Sequence, residues 1–394
     1  MSWQPLNPAT TEAVLCPAFS DQSFAYCHAL SQALLNDPAC RAHPELIALG
    51  FWLRPTQLQQ MLRPWRALSL RPLGQIFHAA PANVDSLFVY SGLLSLLCGN
   101  SNWIRLSSRA LQQTDTSLQR LLQHIQALAS QFPTENARFQ LISCDYQAKE
   151  LQSLLQHIDG RVLWGSNEGI QAMRTTAIPA HARELSFAHK FSLVLLGADA
   201  INNAKDHVLM QLCEGFVRDN LTFAQQACAS AKTVIWLGDT SSITAAQQRF
   251  WHTLAKAIKP EQQPGAAEQY LALQQAQRFA LEPTADVLSL QQATAGLQRA
   301  SIRRLSGWHS LWHGGGGFFL ELVIEDLTAL SPMLRPEHQT LSYWGLEKDG
   351  LQRWQQQQLV GLDRVVPVGE ALNFSPIWDG VDLIRQFSRE TSFR

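Results

Sequence analysis

Apolar residues recur at three- and four-residue intervals between positions 111 and 132, at Leu118, Leu121, Leu122, Ile125 and Leu128, which predicts an amphipathic helix there. On either side the pattern changes to short, nearly continuous apolar runs bounded by turn residues: LGQIFHAA at 73–80, RFQLISC at 138–144, RVLWGS at 161–166, FSLVLLGA at 191–198 and KTVIWLG at 232–238. Such runs predict strands. Helical stretches are expected between several of them, notably at 146–157 and 206–219. Strands that are apolar on both faces and alternate with helices imply parallel sheets covered on both sides, hence an α/β fold. The segment 259–286, rich in Gln, Ala, Glu and Pro, is expected as a surface excursion containing a helix. A polar run at 355–358 is expected on another helix, and no internal repeat is evident.

Length and composition change this picture mainly by exclusion. With 394 residues, 46% of them apolar, the chain has material for two or three domains with sizeable cores. Its formal net charge is −1 and its basic residues are scattered, so the electrostatic footprint of a nucleic-acid or anionic-membrane partner is missing. The longest apolar stretch, 86–98, is broken by Ser91, Gly92 and Ser95 and falls short of the ~20 residues of a spanning helix. The N-terminal segment MSWQPLNPATTEAVLCPAF lacks the basic and apolar regions of a secretion signal, so a cytoplasmic protein is expected. Seven cysteines without a CxxC pair imply reduced thiols, most of them small buried hydrophobes, and no spacing with His points to a metal site.

Three segments can carry chemistry. DNLTFAQQACAS, 219–230, delivers Cys228 between two alanines on the loop before the strand KTVIW, where a thiol is sterically open and its backbone N–H can face an oxyanion. On local sequence alone an inert buried cysteine is the commoner outcome. In the stretch 72–109, a strand, a Pro/Asn loop, a helix and a second strand follow one another. Asn83 on that loop can donate its side-chain N–H to an oxyanion, or simply cap a turn; Arg105 and Ser107 can meet a ribose or phosphate, or end a strand in solvent. RVLWGSNEGIQAMR, 161–174, reads as strand, GSNEG turn and helix, with Gly165 and Ser166 where a phosphate could approach a helix N-terminus. It lacks a full G-x-G-x-x-G. The glycine run HGGGGFF at 313–319 is expected as a flexible loop, and His78 and His338 as structural histidines.

In this order and spacing the three segments resemble the aldehyde dehydrogenase superfamily, most closely its acyl-CoA reductase branch, the long-chain fatty acyl reductases of the LuxC type known from bacterial luminescence. QQACAS resembles that branch's nucleophile signature, and HQTLSYWGL (338–346), GLDRVVPVGEAL (361–372) and WDGVDLI (378–384) resemble its C-terminal blocks. The resemblance covers roughly residues 49–394. It implies a Rossmann-like cofactor domain and an α/β catalytic domain, expected here at 1–195 with a return at 371–394, and at 196–370. It implies Cys228 as catalytic nucleophile and Asn83 as oxyanion donor. Arg105 takes the place of a ribose-binding lysine with Ser107 beside it, Gly165 and Ser166 face the pyrophosphate, and Glu325 corresponds to a glutamate holding the nicotinamide ribose.

The chain departs from ordinary aldehyde dehydrogenases at 184–190, ELSFAHK, where their Glu-Leu-Gly-Gly-Lys block carries the glutamate that activates water. Loss of that base favours reduction of an acyl-enzyme over its hydrolysis. The resemblance therefore implies reduction of an acyl-thioester, from acyl-CoA or an acyl-protein, to an aldehyde, with NADP(H) preferred and NAD(H) the alternative. An acyl-activating enzyme is the expected partner, and a homo-oligomer the expected assembly. The alternatives are an aldehyde dehydrogenase of the same fold, an acyltransferase using Cys228 without a cofactor, and a non-catalytic scaffold that has kept the fold.

Overall fold

The computed structural model describes residues 3–80, 87–112, 116–292 and 296–392. The chain forms two compact units, Met1–His189 with Phe374–Arg394, and Lys190–Asn373.

In the first unit a six-stranded sheet runs in the order Gln4–Pro5, Phe139–Ser143, Ser101–Leu106, Gln75–Ala79, Gly160–Trp164 and Arg183–Phe187. The first strand is antiparallel to its neighbour and the other five are parallel. Numbered along the chain, those five lie in the order 3-2-1-4-5, so the winding reverses between Gln75–Ala79 and Gly160–Trp164. The predicted helix at 111–132 is observed as Ser117–Leu128, with Leu118, Leu121, Leu122 and Ile125 buried. Helix Leu87–Leu97 lies so close to the sheet that a Cβ on Gly92 would come within 2.6 Å of Ile104 and 2.8 Å of Phe139. Only glycine leaves that room.

The C-terminal segment completes this unit. Strand Ser388–Glu390 pairs with Leu70–Pro72, Asn100 donates to Phe387 O at 2.8 Å, and Arg183 donates to the carbonyls of Arg385, Gln386 and Ser388 at 2.9–3.0 Å. Phe374 stacks on Tyr90 on one side and on Trp378 on the other, with centroids 4.5 and 4.9 Å away.

The second unit holds a seven-stranded sheet in the order Val287–Gln292, Gln298–Ile302, Phe318–Ile324, Ala231–Leu237, Phe191–Gly197, His338–Trp344 and Arg364–Pro367. All neighbours are parallel except the first pair. Because successive side chains alternate faces, Val194 and Leu196 pack with Trp236, Phe216 and Phe250 on one side, and Leu193 and Leu195 with Ile235, Leu320 and Phe279 on the other. Glu321, buried within the sheet, accepts from the indoles of Trp236 and Trp251 at 2.9 Å and from Arg299 at 3.2 Å.

Two expectations are corrected. The segment 259–286 is more than a surface excursion, since its helix Ala266–Leu281 buries Ala272, Ala276 and Phe279 against the sheet. The division between units falls at 189/190 and 373/374 instead of 195/196 and 370/371, because strand Phe191–Gly197 belongs whole to the second sheet. Among the described residues, no helix is long and apolar enough to cross a membrane.

Candidate active site

Helix Asp206–Leu221 buries Leu209, Leu212, Phe216 and Val217 and so fixes where its last turn ends. That turn carries two buried polar residues with structural work to do. Asp219 accepts the backbone N–H groups of Gly369 at 2.6 Å and Ala371 at 3.1 Å, while Asn220 accepts that of Ala231 at 2.6 Å. Burial pushes the Asp219 carboxyl up to about 6, although those two N–H groups and Arg218 and Arg364 act the other way.

After the helix the chain reverses through two non-glycine residues with positive φ, Ala224 at 47° and Gln225 at 63°. This conformation costs on the order of 1–2 kcal/mol per residue, and the surrounding bonds over-determine it. Gln225 donates from its side chain to Ala231 O at 2.8 Å and accepts from Gly317 N at 3.0 Å, Gly316 N donates to Ala224 O at 2.9 Å, and Lys232 donates to Gln225 O. The glycine run expected as a flexible loop thus has a defined role. Gly315, Gly316 and Gly317 all have positive φ, and they bring backbone against the 224–226 turn, where a Cβ on Gly315 would meet Gln225 O at 2.8 Å.

Cys228 follows on a turn directly before strand Ala231–Leu237. Its carbonyl accepts from Ser192 Oγ at 2.6 Å, and Ser230 Oγ donates to Asp219 O at 2.7 Å, so the backbone is held on both sides of the thiol. Of the seven cysteines, Cys27, Cys40, Cys98, Cys144 and Cys213 are buried, whereas Cys16 and Cys228 are half-buried. Burial raises the thiols of Cys27 and Cys213 to about 12 and that of Cys40 to about 11, which suppresses the thiolate nucleophile.

Two cations lie within electrostatic reach of Cys228, and sequence reasoning identified neither. Lys232 is 5% exposed; burial pushes its ammonium down to about 7, and the negative charge of a Cys228 thiolate opposes that shift. Arg364 is likewise lowered by burial and restored by Asp219, Cys228 and Glu370. Its guanidinium donates to the carbonyls of Ala371, Glu370 and Asn373 at 2.6–3.0 Å. In the sequence Lys232 looks like the polar start of a strand and Arg364 like part of a loop block.

Glu325 is not brought to this site. Cys228 precedes the N-terminal end of strand Ala231–Leu237, whereas Glu325 follows Ile324, which pairs with Leu237 at the other end. At ~3.3 Å per residue the two lie at opposite edges of the sheet, roughly 20 Å apart along the strand. Glu325 instead lines a cleft of about 660 Å³ with Gly197, Asp199, Gly238, Asp326 and Gly345.

In the first unit, the C-terminal ends of the parallel strands carry the remaining candidates. Gly165 follows strand Gly160–Trp164, and a Cβ built on it would meet nothing within 4 Å, so this face is open to a ligand. Ser166 caps helix Asn167–Arg174, accepting from Gly169 N at 3.1 Å. Both stand at the point where the winding of the sheet reverses, the place where open α/β sheets receive nucleotides. Arg105 does not extend toward a ligand: it is 8% exposed, donates to Cys144 O at 2.8 Å, and lies over the ring of Tyr146 at 3.6 Å. Ser107, half-buried, begins helix Ser108–Leu111 without a side-chain capping bond. Asn83 and the side chain of Arg109 lie outside the described residues.

Glu184 has a definite occupation. Burial would raise its carboxyl, but Arg174, at 2.7 Å, and Arg161 outweigh it and hold the group below the usual range. His78, fully buried between Ser91 Oγ at 3.2 Å and Asn102 Oδ1 at 3.1 Å, is structural, as expected.

The sequence pattern that defines a family described as acyl-CoA reductase (LuxC) matches residues 56–390. Among solved structures, the chain is similar to lactaldehyde dehydrogenase from Escherichia coli, with a TM-score of 0.64 at 12% identity over 95% of this chain and 86% of that one. It is also similar to an oxidoreductase from Marinobacter aquaeolei, with a TM-score of 0.67 at 9% identity over 98% and 88%. For AldH from Staphylococcus aureus the TM-score is 0.62 at 13% identity over 94% and 88%. These likenesses establish an aldehyde-dehydrogenase-like fold. No curated protein sequence matches the chain.

Proposed function

The chain belongs to the acyl-CoA reductase (LuxC) family, and on that premise we propose that it reduces an acyl-thioester to an aldehyde through an acyl group carried on Cys228. It is an oxidoreductase of acyl and aldehyde groups. The observation that carries the finer reading is the half-buried Cys228 thiol, pinned ahead of a strand with Lys232 and Arg364 in electrostatic reach. A cation near a thiol favours the thiolate, which is the nucleophile.

In the proposed reaction the Cys228 thiolate attacks the carbonyl carbon of the substrate, forming a carbon–sulfur bond. The oxyanion is met by the Cys228 backbone N–H, and the family resemblance assigns the side-chain N–H of Asn83 to the same role. The donor thiolate, from coenzyme A or a carrier protein, departs and takes a proton from solvent, leaving the acyl group on Cys228. A nicotinamide cofactor supplies the hydride when bound. Return of the carbonyl releases the aldehyde and restores the thiolate. Gly165 and Ser166 would hold the pyrophosphate and Ser107 the ribose; the open face at Gly165 and the reversal of the sheet fit such a ligand. NADPH is the preferred reductant and NADH the alternative. Arg105, Ser107 and Arg109 are the candidates for recognition of a 2′-phosphate, and Arg105 packs on Tyr146.

With Glu184 committed to Arg161 and Arg174, that carboxylate is not positioned as a base for water, which favours hydride transfer to the acyl group over hydrolysis. The substrate is acyl-CoA or an acyl-protein delivered by an acyl-activating enzyme. NADPH oxidation against acyl-CoAs of graded chain length, read beside intact mass, tests the proposal. It predicts turnover and an acyl adduct that Cys228→Ser abolishes. An adduct persisting in that variant, or acyl transfer without cofactor consumption, refutes it.

A further inference from the structure

Asp37 and Cys40, three residues apart, converge with the sequence-distant His124 in the first unit, and none of the three is used by the chemistry above. Asp37 caps the short helix Pro38–Ala42 through Oδ1, which accepts Ala39 N at 2.9 Å, and this leaves Oδ2 turned to the other two side chains. Oδ2 lies 3.0 Å from His124 Nε2 and 3.6 Å from Cys40 Sγ, and Sγ lies 3.7 Å from Nε2. With metal–sulfur bonds near ~2.3 Å and metal–nitrogen or metal–oxygen bonds near ~2.0–2.1 Å, one face of a tetrahedron has edges of roughly 3.5–3.6 Å to sulfur and roughly 3.3 Å between nitrogen and oxygen. The three ligand atoms already stand within a few tenths of an ångström of that face.

Their orientation separates this arrangement from a nucleophilic triad. A triad histidine faces its carboxylate with one ring nitrogen and its nucleophile with the other. Here the same Nε2 faces both Asp37 and Cys40. Cys40 is fully buried, whereas the side chains of Asp37 and His124 are 22% and 20% exposed, giving a sulfur floor with an open mouth.

We propose that Asp37, Cys40 and His124 bind one zinc ion, with water at the fourth position. Binding releases the Cys40 thiol proton to solvent, and the thiolate and the Asp37 carboxylate balance the two charges of the ion. The ion would clip the end of helix Asp21–Asn36 and the turn after it to helix Ser117–Leu128. Asp37 and Cys40 precede the family-matched region 56–390, and His124 lies within it. The absence of any Cys/His spacing in the sequence is explained by the distance along the chain between Cys40 and His124.

The test is a cobalt(II) titration of the full chain, followed by its thiolate-to-cobalt absorption and by zinc displacement. One equivalent is expected to saturate the band and zinc to abolish it. His124→Gln and Asp37→Asn each weaken cobalt binding roughly tenfold or more, and Cys228→Ser leaves it unchanged. Zinc should raise the melting temperature of the wild type and not of His124→Gln. His124 is partly exposed, so its variant decides the matter even if Cys40→Ser fails to fold. No thiolate band at stoichiometric cobalt, or a band that survives His124→Gln and disappears with Cys228→Ser, overturns the proposal and leaves a hydrogen-bonded trio.

Discussion

Cys228 shares its chemistry with six other thiols, so any special reactivity has to come from its surroundings. The five buried cysteines are held as thiols by desolvation, while Cys228 is half-buried with Lys232 and Arg364 nearby. Replacing Lys232 with Met should move the pH midpoint of Cys228 alkylation upward by about one unit, because the thiolate loses a neighbouring cation. Alkylation rates by iodoacetamide across pH check this; an unmoved midpoint would remove Lys232 from the account. Asn83→Ala should lower turnover by ~10²–10³, the usual cost of one oxyanion donor, measured as kcat with the best acyl-CoA. The places of Cys228 and the GSNEG turn, each beside a strand, are legible in sequence, whereas the role proposed for Cys228 rests on the family resemblance and not on its local sequence. Lys232 and Arg364 are not, because what qualifies them is burial beside one particular thiol, and that is a property of the folded chain.

At the scale of elements, the loop 222–230 and the glycine run 314–317 act as one piece. Gln225 holds them together by satisfying a carbonyl of the strand and an N–H of the glycine run, and it is fully buried. Gln225→Ala would strand both groups, at a cost of about 1–3 kcal/mol each, and urea denaturation should show a loss of ~2–6 kcal/mol with Cys228 alkylation altered as well. The strand–helix alternation, and with it the α/β class, is visible in apolar periodicity. The edge on which a residue falls is less so. Glu325 and Cys228 adjoin neighbouring parallel strands, but one follows its strand and the other precedes its own. In parallel neighbours those positions lie at opposite edges. Strand direction, applied to each candidate, would have separated them. The helix at 266–281 is expected from the sequence but its burial is not, since its buried stripe includes Ala272 and Ala276, whose small side chains hardly mark a core face.

At the scale of the whole molecule, each unit contains a buried neutral histidine, His78 in the first and His338 in the second, both pushed by burial from 6.5 down to about 4. The unfolded chain takes up these protons near pH 6.5 while the folded chain resists until about 4. The contribution of these two groups to stability is therefore complete above pH 6.5 and declines as pH falls through that window, by on the order of 3 kcal/mol for each group. His78→Gln should flatten the dependence of the first unit's unfolding on pH between 6.5 and 4.5, read from melting curves; an unchanged slope would count against the assignment. The two-unit organisation has a further consequence. Ending the chain at residue 373 should leave the second unit protected from limited proteolysis and the first one open, because Phe374, Phe387 and Ser388 close only the first.

That dependence also orders events in time. The second unit is one uninterrupted stretch, and the ribosome delivers all of it before residues 374–394 appear, whereas the first unit begins synthesis earliest and finishes last. A nascent chain would thus carry an assembled Cys228 loop while strand Leu70–Pro72 still awaits its partner Ser388–Glu390, so that on the proposed reaction the thiol is formed before the unit proposed to bind the reductant is closed.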